Sequence, residues 1–480
     1  MPQRDDVALR IPRMRMVGLL LMSAAVVSAA TLDDATRQLS HGVFKELIEI
    51  NTTDSTGSTT SAANAMARRL REAGIPASDI QVLGPNDRKG NLVARLRGTG
   101  AKKPILIIGH LDVVEAKRED WTTDPFTFVE KDGYFYGRGT QDMKANDAIL
   151  VTTFIRFQRE QYRPVRDVIL ALTADEEGGQ WNGVEWLLKN HRNLVDAEFV
   201  LNADSGGVTT AQGKLVNVDV EASEKQYADY ELTVLNAGGH SSLPTPDNAI
   251  YRLAGALARL ERTPFPLEFN AVTHAYFERR APLEAPQTQA DMKAILRTPP
   301  DTRAVARLSA VPRYNSMLRT TCVATRLSAG HANNALPQEA KAIVNCRILP
   351  GHSPAETEQA LIRIAADPQV AVKYVGAAGG IAEAPDSKGF PTVLPSDDVL
   401  RPLQQVASEM WPGIPIIPIM ETGASDSIYT MAAGIPSYGV HGVGIDQDDV
   451  RAHGKDERVR VSAFDDGVEF YYRFLKAVTK

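Results

Sequence analysis

The sequence predicts an α/β fold, a mostly parallel central sheet flanked by helices, with a smaller α+β unit inserted into it. Three observations predict it. Short apolar runs at Ile105–Ile108, Val168–Leu172 and Phe199–Leu201 are continuous rather than alternating, as strands buried on both faces are, and segments of helical spacing separate them. Each run ends on polar residues: His110 and Asp112, then Asp175-Glu176-Glu177, then Asn202 and Asp204. From about Ser223 the texture changes to alternating strands and amphipathic helices, and the first pattern resumes near Pro391. The boundaries read from this are 31–222 with 379–480 for the main domain, 223–378 for the inserted one, and 1–30 set apart.

At the amino terminus Arg10, Arg13 and Arg15 precede an apolar run that closes on Ser28, Ala29 and Ala30. These are the three parts of a secretory signal, cleaved after Ala29 or Ala30, and they place the mature chain in the periplasm or outside the cell. The run is shorter than the roughly 20 apolar residues a membrane span needs, so an uncleaved anchor is the second choice. Leu39, Val43, Phe44, Leu47 and Ile48 then recur at helical spacing, and a second helix, Thr60 to Ala73, follows a polar loop. Strands at Ile80–Leu83 and Asn91–Arg97 lead to the central strand that ends on His110. A glycine-rich loop, Gly137 to Asp142, precedes a helix from Ala145 to Arg159, and a further helix spans Trp181 to Asn190.

In the inserted unit Gln226–Leu235 alternates like a half-exposed strand, Pro246–Arg262 reads as a helix, and Arg319–Leu327 and Lys341–Leu349 read as paired strands. A helix, Pro354–Ala366, and a strand, Val370–Val375, close it. Between Ala271 and Tyr314 lies a polar helical insertion with no assigned place. The main domain resumes with a helix ending at Trp411, a strand at Ile414–Ile419 and an amphipathic helix at Ala463–Val478.

A chain of 480 residues is too long for one simple core, and 43% hydrophobic with 23% charged residues is a globular composition. A net charge of -6 excludes nucleic acid and polybasic membrane attachment, both of which need clustered Lys and Arg. The partner expected is a small molecule.

His110, Asp142, Glu176, Glu177, Asp204 and His453 all stand at strand ends or on loops beside them. Two imidazoles and four carboxylates gathered at one sheet edge would repel unless cations sat among them, and this nitrogen and oxygen mix suits zinc, with cobalt or manganese as alternatives. Two metals fit the count: His110 and Asp204 on one, Glu177 and His453 on the other, Asp142 bridging. Glu176 is then left over as general base for a metal-activated water. Asp112, two residues beyond His110 on the same side of an extended segment, is expected to hydrogen-bond the second imidazole nitrogen.

GHLDVV, DPF, DGYFYGRGTQDMK, TADEEGG, NADSGG, GGHSS, NNALP and HGKDE, in this order, resemble the dinuclear-zinc exopeptidase and deacylase family (peptidase family M20). That family includes carboxypeptidase G, aminoacylase, succinyl-diaminopimelate desuccinylase, acetylornithine deacetylase and carnosinase-type dipeptidases. The resemblance covers nearly all of the mature chain. It implies a zinc-exopeptidase catalytic domain with an inserted lid domain, and the same two-zinc site with Glu176 as base and Asp112 orienting His110. It further implies that His240 of GGHSS polarises the scissile carbonyl, that Asn334, Arg347 and Gly423 contact substrate, and that the peptide bond after Asp142 is cis. A homodimer through the lid, with His240 serving the partner's site, is a further implication. Asp204 departs toward the aminopeptidases and dipeptidases, since the family's deacylases and carboxypeptidase G tend to carry Glu there; some secreted or vacuolar carboxypeptidases also carry Asp.

The function expected is metal-dependent hydrolysis of amide bonds in small peptides from the terminus. The alternatives are an N-acyl amino acid deacylase and, from a different class, a catalytically silent periplasmic peptide-binding protein. Retention of Glu176 with every ligand speaks for an enzyme, because binding alone needs no spare base. His41, His191, His274 and His352 read as surface or packing residues, Arg138 and Lys144 as structural loop residues, and His331 and His441 lie near the substrate motifs. Cys322 and Cys346 have their midpoint at Asn334, so antiparallel strands about that connection would oppose them within disulfide reach.

Overall fold

Apolar runs form the centre of the large sheet, and every residue of Ile105–His110 and Val168–Thr173 is buried. In the computed structural model, which describes residues 32–376, 379–389, 392 and 394–480, this sheet has ten strands. The export signal read at residues 1–30 lies outside the described residues. Val168–Thr173, Ile105–His110, Val200–Asn202 and Ser437–Gly439 lie side by side in that order, all parallel. Because parallel neighbours point the same way, the ends carrying His110, Thr173 and Asn202 emerge at one edge.

The sheet is mixed beyond this centre. Asn91–Leu96 and Ile80–Leu83 add antiparallel strands on one side, and the hairpin of Gly207–Ala211 with Lys214–Glu224 adds an antiparallel pair toward the other. That hairpin was not anticipated. Its two turn residues, Gln212 and Gly213, have φ of 51° and 74°, the double left-handed turn that matches strand twist.

The second sheet is antiparallel, in the order Thr321–Ala329, Glu339–Ile348, Gln226–Leu235, Ala371–Val375. Alternation along Gln226–Leu235 turns Ala228, Tyr230, Leu232 and Val234 inward, where they meet Leu253, Leu361 and Val344 in a core separate from that of the large sheet. Cys322 and Cys346 stand directly opposite each other and are bonded. A bulge between Ala324 and Arg326 shifts the register, so counting from the midpoint holds from Thr321 through Ala324, the cysteines included, and fails from Arg326 onward.

The polar insertion changes the domain outline. Helix Ala271–Arg280 packs on the large-sheet strand Ile416–Glu421, Arg280 donates to Asn217 Oδ1 at 2.7 Å, and Val272, Tyr276, Phe277, Met292 and Leu308 join the large core. Residues 271–318 therefore leave the inserted unit by packing while remaining inside its sequence range of 223–378. Among the described residues no helix is long and apolar enough to cross a membrane.

Candidate metal centre

His110 ends its strand with a buried imidazole whose Nε2 lies 3.0 Å from Asp142 Oδ1, 3.4 Å from Asp204 Oδ1 and 4.0 Å from Glu176 Oε2. On the other side of Asp142, Oδ2 lies 3.0 Å from His453 Nε2, which is itself 2.9 Å from Glu177 Oε2. Asp142 thus stands between two groups, His110 with Asp204 and His453 with Glu177. Those are the pairs expected for two cations with Asp142 between them. The peptide bond after Asp142 is cis.

Electrostatics in the protein alone carry the same message. Burial opposes a charged His110, yet the Asp204 charge and the hydrogen bond with Asp142 raise its pKa well above the imidazole value. Hydrogen bonds to Asp142 and Glu177 push His453 up to about 10. Burial works against Asp142 as a carboxylate, but both imidazoles together hold its pKa low. Burial, with Asp204, Asp426 and Glu177 nearby, pushes Glu176 up to about 10. Imidazolium protons here do the work that divalent cations would do. Glu177 Oε1 is buried without a hydrogen-bond partner, an orphaned acceptor suited to a cation, and the donor set fits the expected metals.

Asp112 acts differently from expectation. His110 Nδ1 lies 3.0 Å from the Asp112 backbone carbonyl, while the nearer carboxylate oxygen is 3.7 Å away. The carboxylate instead accepts the backbone N–H groups of Glu176 and Glu177 at 3.2 and 3.0 Å. Because Asp112 meets the ring through its carbonyl, its carboxylate is free to clamp the neighbouring strand end.

Glu457, the last residue of HGKDE, was quoted within its motif but given no role. Fully buried, it accepts Arg138 Nη1 at 2.6 Å and the backbone N–H groups of Gly139, Gln141 and Asp142 at 3.1, 2.6 and 3.0 Å. It therefore shapes the loop that presents Asp142, and Arg138, stacked 5.1 Å from the Trp121 ring, balances its charge. Asp426 was also missed: buried, it accepts Asn182 Nδ2 at 2.5 Å and Thr173 Oγ1 at 3.2 Å, and burial pushes it up to about 6. Lys144 is structural, as read, its buried Nζ donating to the carbonyls of Leu47 and Ile50.

The substrate residues fall into two places. Gly423 follows strand Ile416–Glu421 on the loop of Ser425, whose Oγ lies 3.1 Å from Asn202 Nδ2 beside the Asp204 turn. His240, Asn334 and Arg347 belong to the other sheet region. Ser241 N–H donates to the Asn334 carbonyl at 3.0 Å, and Arg347 lies 4.8 Å above the Tyr227 ring. Among the described residues no hydrogen bond or ion pair joins His240, Asn334 or Arg347 to the metal cluster. His240 is exposed, and its Nδ1 accepts the Ser242 N–H at 3.1 Å, which leaves the ring proton on Nε2. Of the other histidines, His41 meets Asp465 at 2.8 Å and His352 meets Glu268 at 2.7 Å, while His441 is buried against Gly207 with its pKa lowered to about 4 by burial.

The sequence pattern of Peptidase family M20/M25/M40 matches residues 106–477. The chain is 30% identical over 387 residues to N-fatty-acyl-amino acid synthase/hydrolase PM20D1 of Homo sapiens, covering 78% of this chain and 74% of that protein. It is 29% identical over 391 residues to the probable carboxypeptidase S-like 2 of Dictyostelium discoideum, covering 79% and 72%. The fold is like that of the M20 family metallo-carboxypeptidase Sso-CP2 from Sulfolobus solfataricus, with a TM-score of 0.66 at 17% identity over 93% of this chain and 100% of that one.

Proposed function

The chain belongs to peptidase family M20/M25/M40 and is a hydrolytic enzyme, and on that premise we propose that it cleaves terminal amide bonds in small peptides with Glu176 as general base. The observation that carries this reading is Glu176 itself. Four ligand candidates pair off around Asp142, and Glu176 is the carboxylate in excess, at the longest of the His110 contacts.

His110 and Asp204 would hold one divalent cation, Glu177 and His453 a second, with Asp142 shared; zinc suits the set, and cobalt or manganese could replace it. When bound, such a pair supplies Lewis acidity, polarising the scissile carbonyl and acidifying water. Glu176 takes a proton from the attacking water as its oxygen bonds to the carbonyl carbon, then passes that proton to the nitrogen as the C–N bond breaks. His240, with its proton on Nε2, donates to the carbonyl oxygen as charge gathers there. Arg347, a planar fork of donors, receives the substrate carboxylate with Asn334 and Gly423.

A second reading, hydrolysis of N-acyl amino acids, is favoured by the 30% identity to PM20D1. Both substrates present an amide beside a free carboxylate. The test is a panel of free dipeptides, amino-blocked dipeptides and N-acyl amino acids, read by mass spectrometry with the zinc-loaded chain and its Glu176→Gln variant. Products from the wild type alone support the proposal; turnover that survives in the variant sinks it, and binding without products points to a peptide-binding protein. The same chain is proposed to be exported, supported by the arginine-flanked apolar run ahead of Ala30. Terminal sequencing of the mature protein should begin at Ala30 or Thr31. A homodimer is proposed through the exposed edge strand Thr321–Ala329.

A further inference from the structure

Lys89 lies outside every motif and touches none of the candidate ligands, yet it is buried and bonds to the residue just before Glu176. Its Nζ donates to Asp175 Oδ1 and, at 2.5 Å, to Asp54 Oδ1. Asp175 immediately precedes Glu176, has a fully buried side chain, and holds a left-handed φ of 57°. Its second oxygen accepts the Trp181 N–H at 3.1 Å, so one carboxylate closes both ends of the loop from 175 to 181. Gly179 packs so tightly on that carboxylate that a Cβ there would lie 2.3 Å from Asp175 Oδ2. Lys89 supplies the cation that pairs with this buried carboxylate and holds it in place; among the described residues Asp175 has no other ion-pair partner.

The lysine's other contact extends the brace. Asp54 sits in the loop from 51 to 57, and in the same loop Ser55 donates its N–H and its hydroxyl to the two oxygens of Glu115, each at 2.9 Å. Glu115 lies three residues past Asp112, whose carboxylate holds the N–H groups of Glu176 and Glu177. The two strand-end segments that carry His110 and Glu176 are therefore tied together from behind through Lys89.

We propose that Lys89 is a positioning residue that fixes Glu176 for proton transfer by anchoring Asp175; the proposal rests on Glu176 being the base. A base displaced by about 1 Å loses on the order of 100-fold in rate while substrate contacts made elsewhere persist, so the effect falls on kcat. The experiment uses the full-length, zinc-loaded enzyme and the panel substrate that it turns over fastest. Lys89→Met is expected to lower kcat about 10- to 100-fold with KM within about twofold and metal content unchanged, and Lys89→Arg, which keeps the charge, to recover most of the loss. A folded, metal-replete Lys89→Met with wild-type kcat overturns the proposal. So does a loss of kcat that tracks loss of metal, or one that Lys89→Arg fails to repair. If Lys89→Met does not fold, Asp175→Asn removes the same ion pair from the other side with little change of shape; an unaltered kcat there is equally fatal. Glu176→Gln is assayed in parallel: full activity in that variant removes the base assignment itself, whatever Lys89 does.

Discussion

The backbone N–H of Asp142 donates to Glu457 Oε1 at 3.0 Å, across a sequence separation of 315. The residue between the two proposed cations is thus placed by a carboxylate from the far end of the chain. Glu457→Gln puts an amide NH2 against donors, leaving Arg138 or the loop N–H groups unmatched in a buried site. Removing one member of such a pair costs about 3 kcal/mol. The urea midpoint should fall accordingly, and metal affinity by about 10-fold in chelator competition. Unchanged values on both would show that Glu457 does not shape the loop.

Asp112 holds Glu176 and Glu177 through their backbones. In Asp112→Asn one oxygen becomes a donor facing another N–H, so the clamp is half lost. Turnover should drop about 10- to 100-fold with the protein still folded. If the residue acted on His110 instead, the loss would appear mainly in metal occupancy, which elemental analysis of the purified variant measures.

Metal removal should make stability depend on pH in a definite direction. Without cations, burial pushes Asp112 up to about 7 and Glu176 up to about 10, and hydrogen bonds to Asp142 and Glu177 push His453 up to about 10. Unfolded carboxyls titrate near about 4 and imidazoles near about 6.5. The folded metal-free chain therefore binds more protons than the unfolded one, and the stability these groups contribute is complete below their unfolded values and lost progressively as pH rises from those toward the folded values. Cations that replace those protons remove the dependence and bind more tightly as the ligands deprotonate. Thermal melts from pH 5 to pH 7 should show the gap between zinc-loaded and chelator-treated protein widening. A constant or narrowing gap would argue that the cluster does not hold the metal.

Strand Thr321–Ala329 is the outer edge of its sheet, with Val323 and Leu327 exposed at 60% and 68%. A long unpaired edge bearing apolar side chains is a template for another strand. Light scattering should give about twice the chain mass, and Val323→Lys with Leu327→Lys should return it to a monomer. A monomeric wild type at micromolar concentration would rule the pairing out.

Local pattern was enough for much of the chain. Ile105–Ile108 and Val168–Leu172 announced buried parallel strands because a strand covered on both faces has no polar positions, and Gln226–Leu235 announced a half-covered one because side chains alternate. The gathering of candidate site residues was legible for a related reason: in a parallel sheet the residues just past each strand meet at one edge, so His110, Glu176, Glu177 and Asp204 come together by strand order alone. What sequence order could not give was the partner of each group across long separations. Whether Asp112 offers His110 its carboxylate or its carbonyl depends on the N–H groups of Glu176 and Glu177, which claim the carboxylate. The place of residues 271–318 depends on which of two cores has surface to bury. Asp426 and Lys89 carry no signature of their own, and HGKDE marked Glu457 without giving it a role, because a buried charge is defined only by the groups that surround it, and those are assembled by the tertiary structure.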